Sequence, residues 1–167
     1  IEPNLRPSIL TNNAYELEFN NANNTGLNSR IKCYTAGSKG LGRSSTFNNL
    51  HISELAFWTG DKKAALTGLL QTVPDSPNTM IVIESTAKVY DYFQELWQMA
   101  VDGDNDFYPL FVGWHEMESY RKTYDGFDLT ADEKKLKKAF NLDNEQLAWR
   151  RWAIKNNCGG DINLFKQ

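Results

Sequence analysis

The stretch Met80-Ile81-Val82-Ile83-Glu84-Ser85-Thr86-Ala87 (MIVIESTA, residues 80–87) decides how the rest of the 167-residue chain is read. Its first four residues are an unbroken apolar run, the pattern of a short strand covered on both faces in a parallel sheet. The run ends in a carboxylate and two hydroxyls. Directly after it, over residues 87–101, Val89, Phe93, Leu96, Trp97 and Ala100 recur on one face of a predicted helix. Strand, polar strand end and helix form the repeating unit of α/β sheets, and ligands gather at such strand ends.

Working upstream, Leu50-His51-Ile52-Ser53-Glu54 is a second short apolar run that ends in polar groups. Asp61 to Leu70 has helix composition behind a capping Asp, and Pro74 to Asn78 (PDSPN) breaks it. Tyr15 to Phe19 alternates apolar and polar side chains, Asn20 to Asn28 is an Asn-rich loop, and Arg30 to Ala36 is apolar again, which predicts a β-hairpin with a long tip. Downstream, FYPLFVGW (107–114) reads as a further strand. From Thr130 the chain turns helical and charged. Thr130-Ala131-Asp132-Glu133 fits a capping box, and DNEQLAWRRWAI (143–154) carries Leu147, Trp152 and Ile154 at roughly helical spacing. The expected fold class is α/β: a mainly parallel sheet, a β-hairpin near the N-terminus and a helical C-terminal tail. The division expected is residues 1–129 as the core and 130–167 as a lid or linker.

Composition narrows the function. Hydrophobic residues make up 41% and aromatics 13%, enough for a packed interior. The net charge is −3 and the sequence pI near 5.4, so this piece is not expected to grip DNA phosphates by itself, an affinity that rests on concentrated Lys and Arg. Cys33 and Cys158 stand far apart with no Cys or His at ligand spacing, which points to a reducing cytoplasm and away from a zinc site or disulfide scaffold. No run approaches the roughly 18 apolar residues of a membrane span. The start IEPNLRPSIL has neither an initiator Met nor a secretory pattern, and a fragment of a longer protein is expected.

Several stretches could carry chemistry. Gly37-Ser38-Lys39-Gly40-Leu41-Gly42-Arg43-Ser44 fits a phosphate-binding loop if Arg replaces the usual Lys. Such a loop must feed a helix whose first amides hold the phosphates, whereas Ser45 to Asn49 are poor helix formers that lead into a strand. Arg43 reads better as a finger that stabilises charge on a phosphoryl group held elsewhere, against the plainer reading of a solvated loop cation. Leu50 to Glu54 resembles a Walker B strand in which Ser53 stands where the first acid is usual. Glu54 is then the candidate general base and Ser53 a weak, water-mediated partner for Mg²⁺; the plainer reading is a strand-end carboxylate. Ser85 and Thr86 could sense a γ-phosphate or could simply cap the next helix. Trp149-Arg150-Arg151-Trp152 reads as packing plus a solvated face, and His51 and His115 as ordinary strand-end residues.

Together these stretches resemble the terminase large subunit family of tailed bacteriophages and prophages. The resemblance rests on GLGRSSTFNNLHISELAFW, LLQTVPDSPNTMIVIESTA, FYPLFVGWHEMESY, LDNEQLAWRRWAI and the closing NLFKQ, most of the chain from about Gly40 to Gln167. It implies part of a P-loop NTPase core of the ASCE type, in which HISE is the Walker B strand and STA the coupling motif. Carried over, Glu54 activates water, Ser53 assists Mg²⁺, Ser85 and Thr86 couple hydrolysis to DNA movement, and Arg43 is a finger acting on a neighbouring subunit. The implied cofactors are ATP and Mg²⁺. The implied partners are double-stranded DNA, the small terminase subunit, the portal protein and further copies in a ring, in the cytoplasm of the bacterial host; the piece alone is expected to be monomeric. Lys88 and Val89 depart from the small polar residue and Gly that often follow the coupling motif. Such proteins carry a phosphate loop before the hairpin and a nuclease domain after the tail, so the chain is expected to begin after the one and stop before the other.

Two rival readings stand beside it. A Mg²⁺-dependent nuclease would use Glu54 and Glu84 as strand-end carboxylates but needs further clustered acids. A non-catalytic structural domain or prophage relic would fit Ser53 in place of the usual acid.

Overall fold

The computed structural model describes residues 6–20, 28–37, 41, 45–88 and 90–166. The chain divides into two compact units, Ile1–Ser85 and Thr86–Gln167. It is a mixed α/β protein, with a three-stranded antiparallel sheet and a separate parallel pair among the described residues.

The antiparallel sheet is built from β1 (Ile9–Asn12), β2 (Glu16–Phe19) and β3 (Arg30–Lys32) in that spatial order. The predicted hairpin is the β2–β3 pair, in register Glu16↔Lys32, Leu17↔Ile31 and Glu18↔Arg30. Its tip, residues 21–27, lies outside the described residues. Lys32 and Arg30 bring their charges 3.5 Å and 3.6 Å from the Glu16 carboxylate, a cross-strand arrangement that favours this register. The preceding strand β1 was not anticipated. It folds onto β2 through Asn13, whose side-chain oxygen accepts from the amides of Tyr15 and Glu16 at 2.8 and 3.0 Å, the local bonding by which Asn makes turns.

The parallel pair comprises β4 (Asn49–Ile52) and β5 (Met80–Ile83), aligned from Asn49↔Met80 to Ile52↔Ile83. Parallel neighbours cannot be joined by a tight turn. Here the connection contains α1 (Lys62–Leu70), with Leu66 and Leu69 buried one turn apart. The Asp61 carboxylate accepts from the Ala64 amide at 2.9 Å, as the sequence suggested for its helix cap. Asp61→Ala is expected to cost about 1 kcal/mol of stability, read as a lower urea midpoint with an unchanged slope. An unchanged midpoint would show that this cap adds nothing.

The sheet differs from expectation in three ways. Among the described residues only β4 and β5 run parallel, so the mainly parallel sheet is not what this part of the chain forms. The apolar run of β5 is covered on one row only: Ile81 and Ile83 are half-buried, while Met80 and Val82 are exposed. A continuous apolar run reports what a strand can tolerate on both faces, not what covers it here. Third, FYPLFVGW is not a strand. Residues 107–113 are irregular with Tyr108, Leu110, Phe111 and Val112 exposed, and they end in a 3₁₀ turn at Trp114–Glu116. Pro109 has no N–H for a ladder, which demotes such a run to an edge or to no strand at all.

The second unit is helical: α2 (Tyr92–Asp102), α3 (Ala131–Phe140), α4 (Asn144–Asn156) and the short α5 (Ile162–Phe165). The predicted helix over 87–101 begins later than expected. Tyr90 has φ 58°, a left-handed conformation through which an α-helix cannot run, and Asp91 supplies the cap by accepting from the Phe93 amide at 2.8 Å. Neither Ser85 nor Thr86 caps it. Phe93, Leu96 and Ala100 are half-buried and Trp97 is exposed, while Val89 lies outside the described residues.

The reciprocal capping box at Thr130 and Glu133 forms as predicted, and a second joins Asp143 and Gln146. Between α3 and α4 the chain turns at Asn141, φ 51°, and drops Leu142 into the core with Leu147, Ala148 and Ala153. Against α4, Trp149 stacks on Tyr120 with ring centroids 4.1 Å apart and on Trp114 at 5.6 Å. Among the described residues no helix is long and apolar enough to cross a membrane.

Candidate functional site

In a parallel pair both strands deliver their C-terminal residues to the same edge. β4 therefore delivers Ser53 and Glu54 beside Glu84 and Ser85, which follow β5. The ladder runs one step past the strands: the Glu84 amide donates to the Ile52 carbonyl at 2.9 Å, and the Leu55 amide to the Glu84 carbonyl at 3.3 Å.

Glu54 sits at φ 54°, ψ 41°, the left-handed region. For a residue with a Cβ that conformation costs on the order of 1 kcal/mol or more, and it persists where the surroundings hold it. The surroundings here are specific. Leu55 and Ala56 are fully buried in the 3₁₀ turn Leu55–Phe57, so the chain must reverse at Glu54 to put them inside. The turn is pinned by the Lys62 ammonium donating to the Ala56 carbonyl at 2.6 Å and by the Trp58 indole N–H donating to the Ser53 carbonyl at 2.9 Å. The outcome is an exposed Glu54 carboxylate on a fixed backbone.

Ser85 closes the arrangement. Its hydroxyl accepts from the Ala56 amide at 3.2 Å and donates to Glu54 Oε2 at 3.3 Å. One hydroxyl thus ties the end of β5 to both the backbone and the carboxylate at the end of β4. Glu84 turns to the other side, its Oε1 3.5 Å from His51 Nε2.

Of the residues singled out in the sequence, Ser53, Glu54 and Ser85 are brought together here. Ser53 is exposed, and its hydroxyl makes no hydrogen bond among the described residues. Thr86 is exposed and opens the second unit. Arg43 lies outside the described residues. Residues 45–48 run irregularly into β4 without a helix, which removes the support a phosphate-binding loop at Gly37–Ser44 would need.

The contacts Ser85–Glu54 and His51–Glu84 are beyond sequence reading, since each depends on the register of two strands some thirty residues apart. In chemical terms the site offers hard oxygen groups, a carboxylate and two hydroxyls, of the kind Mg²⁺ accepts alongside its waters and a substrate's phosphates. Among the described residues no group of three or more His, Cys, Asp or Glu side chains is gathered in one place.

Trp149-Arg150-Arg151-Trp152 combines packing with an exposed Trp152, and its two arginines are more engaged than a solvated face requires. Arg151 forks onto Glu133, with both contacts at 2.6 Å, and lies over the Phe127 ring. The Arg151 hydrogen bonds hold the Glu133 carboxyl down at about 2, against the burial that opposes them. Arg150 is buried. A sequence signal for this existed, since Leu147, Arg150 and Ala153 recur at the three-residue spacing of one helical face.

No protein-family model matches the chain, and no curated protein matches it either.

Proposed function

We propose that this chain is part of the ATPase core of a bacteriophage or prophage terminase large subunit, a motor that drives double-stranded DNA into a prohead. The observation that carries the reading is the hydrogen bond between Glu54 and Ser85, which joins two parallel strand ends where the resemblance puts a Walker B acid and a coupling hydroxyl. The half-covered β5 supports it as well. Parallel strands are found almost only with both faces covered, and the exposed Met80 and Val82 fit a sheet face that a further layer of helices covers.

Glu54 has what a general base requires: an exposed carboxylate, a fixed backbone and, among the described residues, one oxygen without a hydrogen bond beside the one bound to Ser85. It orients the attacking water and takes its proton. Ser85 has two partners and one hydroxyl. A phosphate oxygen arriving near Glu54 competes for the Ser85 proton, and re-pairing shifts the end of β5 against β4. Ser53 and Glu54 fit a hydrated Mg²⁺, held through water. Mg²⁺ bound with ATP supplies neutralisation of the phosphate charge. Arg43 is the charge-stabilising finger toward a neighbouring copy in a ring. Tight contact with DNA, the portal and the small subunit belongs to other parts of the motor, in keeping with the chain's net charge of −3.

The test compares phosphate release by the 167-residue chain with that by the full-length product of the gene that encodes it. The chain alone is expected to release none above buffer, because the amide cradle and its cation that hold the phosphates are not in its sequence. The full-length product is expected to hydrolyse ATP only with Mg²⁺. Turnover by the chain alone, or a full-length product that binds no Mg²⁺·ATP, would overturn the reading, the latter in favour of a non-catalytic domain.

A further inference from the structure

Arg150 on α4 is 9% exposed, yet among the described residues its guanidinium makes no hydrogen bond and no ion pair. Its guanidinium lies over the face of Phe165, 5.5 Å from the ring centroid. A guanidinium carries five donors and stays charged. Buried cations are ordinarily paired, because an unpartnered one forfeits hydration that nothing returns. Its neighbour Arg151, by contrast, is fully engaged with Glu133.

The nitrogens of Arg150 are not sealed in. Among the described residues no fully enclosed side-chain nitrogen or oxygen lacks a partner, so the unpartnered guanidinium keeps an opening, and Arg150 lines a recess of about 350 Å³ within the second unit. Ile154 and Ile162 form apolar wall, and Lys155 stands at the same recess. Asp132, also on the wall, is paired with Lys135 at 3.5 Å. Arg151 and Glu133 neutralise each other, which among the described residues leaves Arg150 and Lys155 without an ion pair at this recess. Burial pushes the Arg150 pKa down, outweighing the attraction of the nearby Glu133 and Asp132 carboxylates.

We propose that this recess binds a carboxylate borne on an apolar body, with the Arg150 guanidinium clasping both oxygens while Ile154 and Ile162 hold the hydrocarbon. Planar two-oxygen geometry matches the guanidinium fork. The apolar wall and the neighbouring Asp132 and Glu133 favour a carboxylate over a phosphate dianion, which would crowd the two acids. The site lies in the second unit and is independent of the ATPase reading.

The experiment is an NMR titration of the full 167-residue chain with hexanoate, following Arg150 Nε–Hε and the methyl groups of Ile154 and Ile162. Inorganic phosphate at matched ionic strength and the blocked tripeptide acetyl-Leu-Glu-Leu-amide are titrated in parallel. Hexanoate is expected to shift all three reporters saturably, with phosphate at least about tenfold weaker. Arg150→Met is expected to lose hexanoate binding by about tenfold or more while keeping the near-UV signal of the stacked Trp114 and Trp149. Should that variant not fold, Arg150→Lys keeps the charge without the fork and is expected to bind about tenfold more weakly. Tighter binding of the tripeptide than of hexanoate assigns the site to an acidic side chain of a protein partner, and the reverse assigns it to a free organic acid. Absence of saturable hexanoate shifts, equal binding by the Arg150 variant, or phosphate bound as tightly as hexanoate overturns the proposal.

Discussion

On the proposed ATPase reading, replacing Glu54 by Gln in the intact gene product is expected to lower ATP turnover by roughly a thousandfold, the contribution of a positioned general base, while nucleotide affinity changes little. Gln keeps the length of the side chain and an oxygen that can accept from Ser85, so the link between β4 and β5 survives. It also tolerates the left-handed backbone no better and no worse than Glu, which keeps the strain at position 54 constant. What changes is the ability to take a proton. A fall in kcat at unchanged nucleotide Kd is therefore the signature of the assigned role. A residue that merely closed a turn would instead show an altered melting temperature with kcat intact, and that result would remove Glu54 from the mechanism. Loss of Mg²⁺-dependent DNA cleavage in place of ATP turnover would move the same carboxylate to a nuclease site.

The elements read correctly in the sequence are those specified by a few neighbouring residues. Asp61 caps α1 and the Thr130–Glu133 box starts α3 because those bonds close within one turn of chain. The β2–β3 hairpin and the β4 and β5 strands follow from apolar patterning in the same local way. The misreadings occurred where a single residue vetoes a pattern. Pro109 denies FYPLFVGW its ladder, and the left-handed Tyr90 delays α2 until Asp91 can cap it. At the candidate site, the exposed strand-end carboxylate was legible as residue type and position. Its strained backbone and the Ser85 hydrogen bond were not, because both arise from burying Leu55 and Ala56 beside a strand distant in sequence. The reading of Trp149 to Trp152 as packing plus a solvated face did not say which arginine packs, for a related reason. Adjacent residues on a helix point about 100° apart, so one Arg turned inward with Leu147 and Ala153 while the other reached Glu133.

That Glu133–Arg151 pair leads to the second large effect, a loss of stability in acid whose Glu133 share is missing in Glu133→Gln. Glu133 is 4% exposed and bound twice over, to Arg151 and to the Thr130 amide, and the Arg151 hydrogen bonds hold its carboxyl down at about 2, well below the ordinary carboxylate value of 4.5. A carboxyl whose folded pKa lies below its unfolded value stabilises the fold above the unfolded pKa. The contribution is then complete above about pH 4.5 and disappears as the pH falls toward about 2. Its size is on the order of 3 kcal/mol, a large part of the stability of a unit this small. Asp143 also titrates low, since burial raises it but the Gln146 amide and Arg121 outweigh that, so the wild-type acid curve holds more than one group. The difference between wild type and Glu133→Gln isolates the one of interest. Protonated Glu and Gln are close in shape and both neutral, hence the two proteins should converge in urea stability near pH 2 and separate by about 3 kcal/mol at pH 6. The near-UV signal of the stacked indoles reports on the second unit during these titrations. A difference that stays constant from pH 6 to pH 2 would mean that the charge on Glu133 is not what holds α3 to α4.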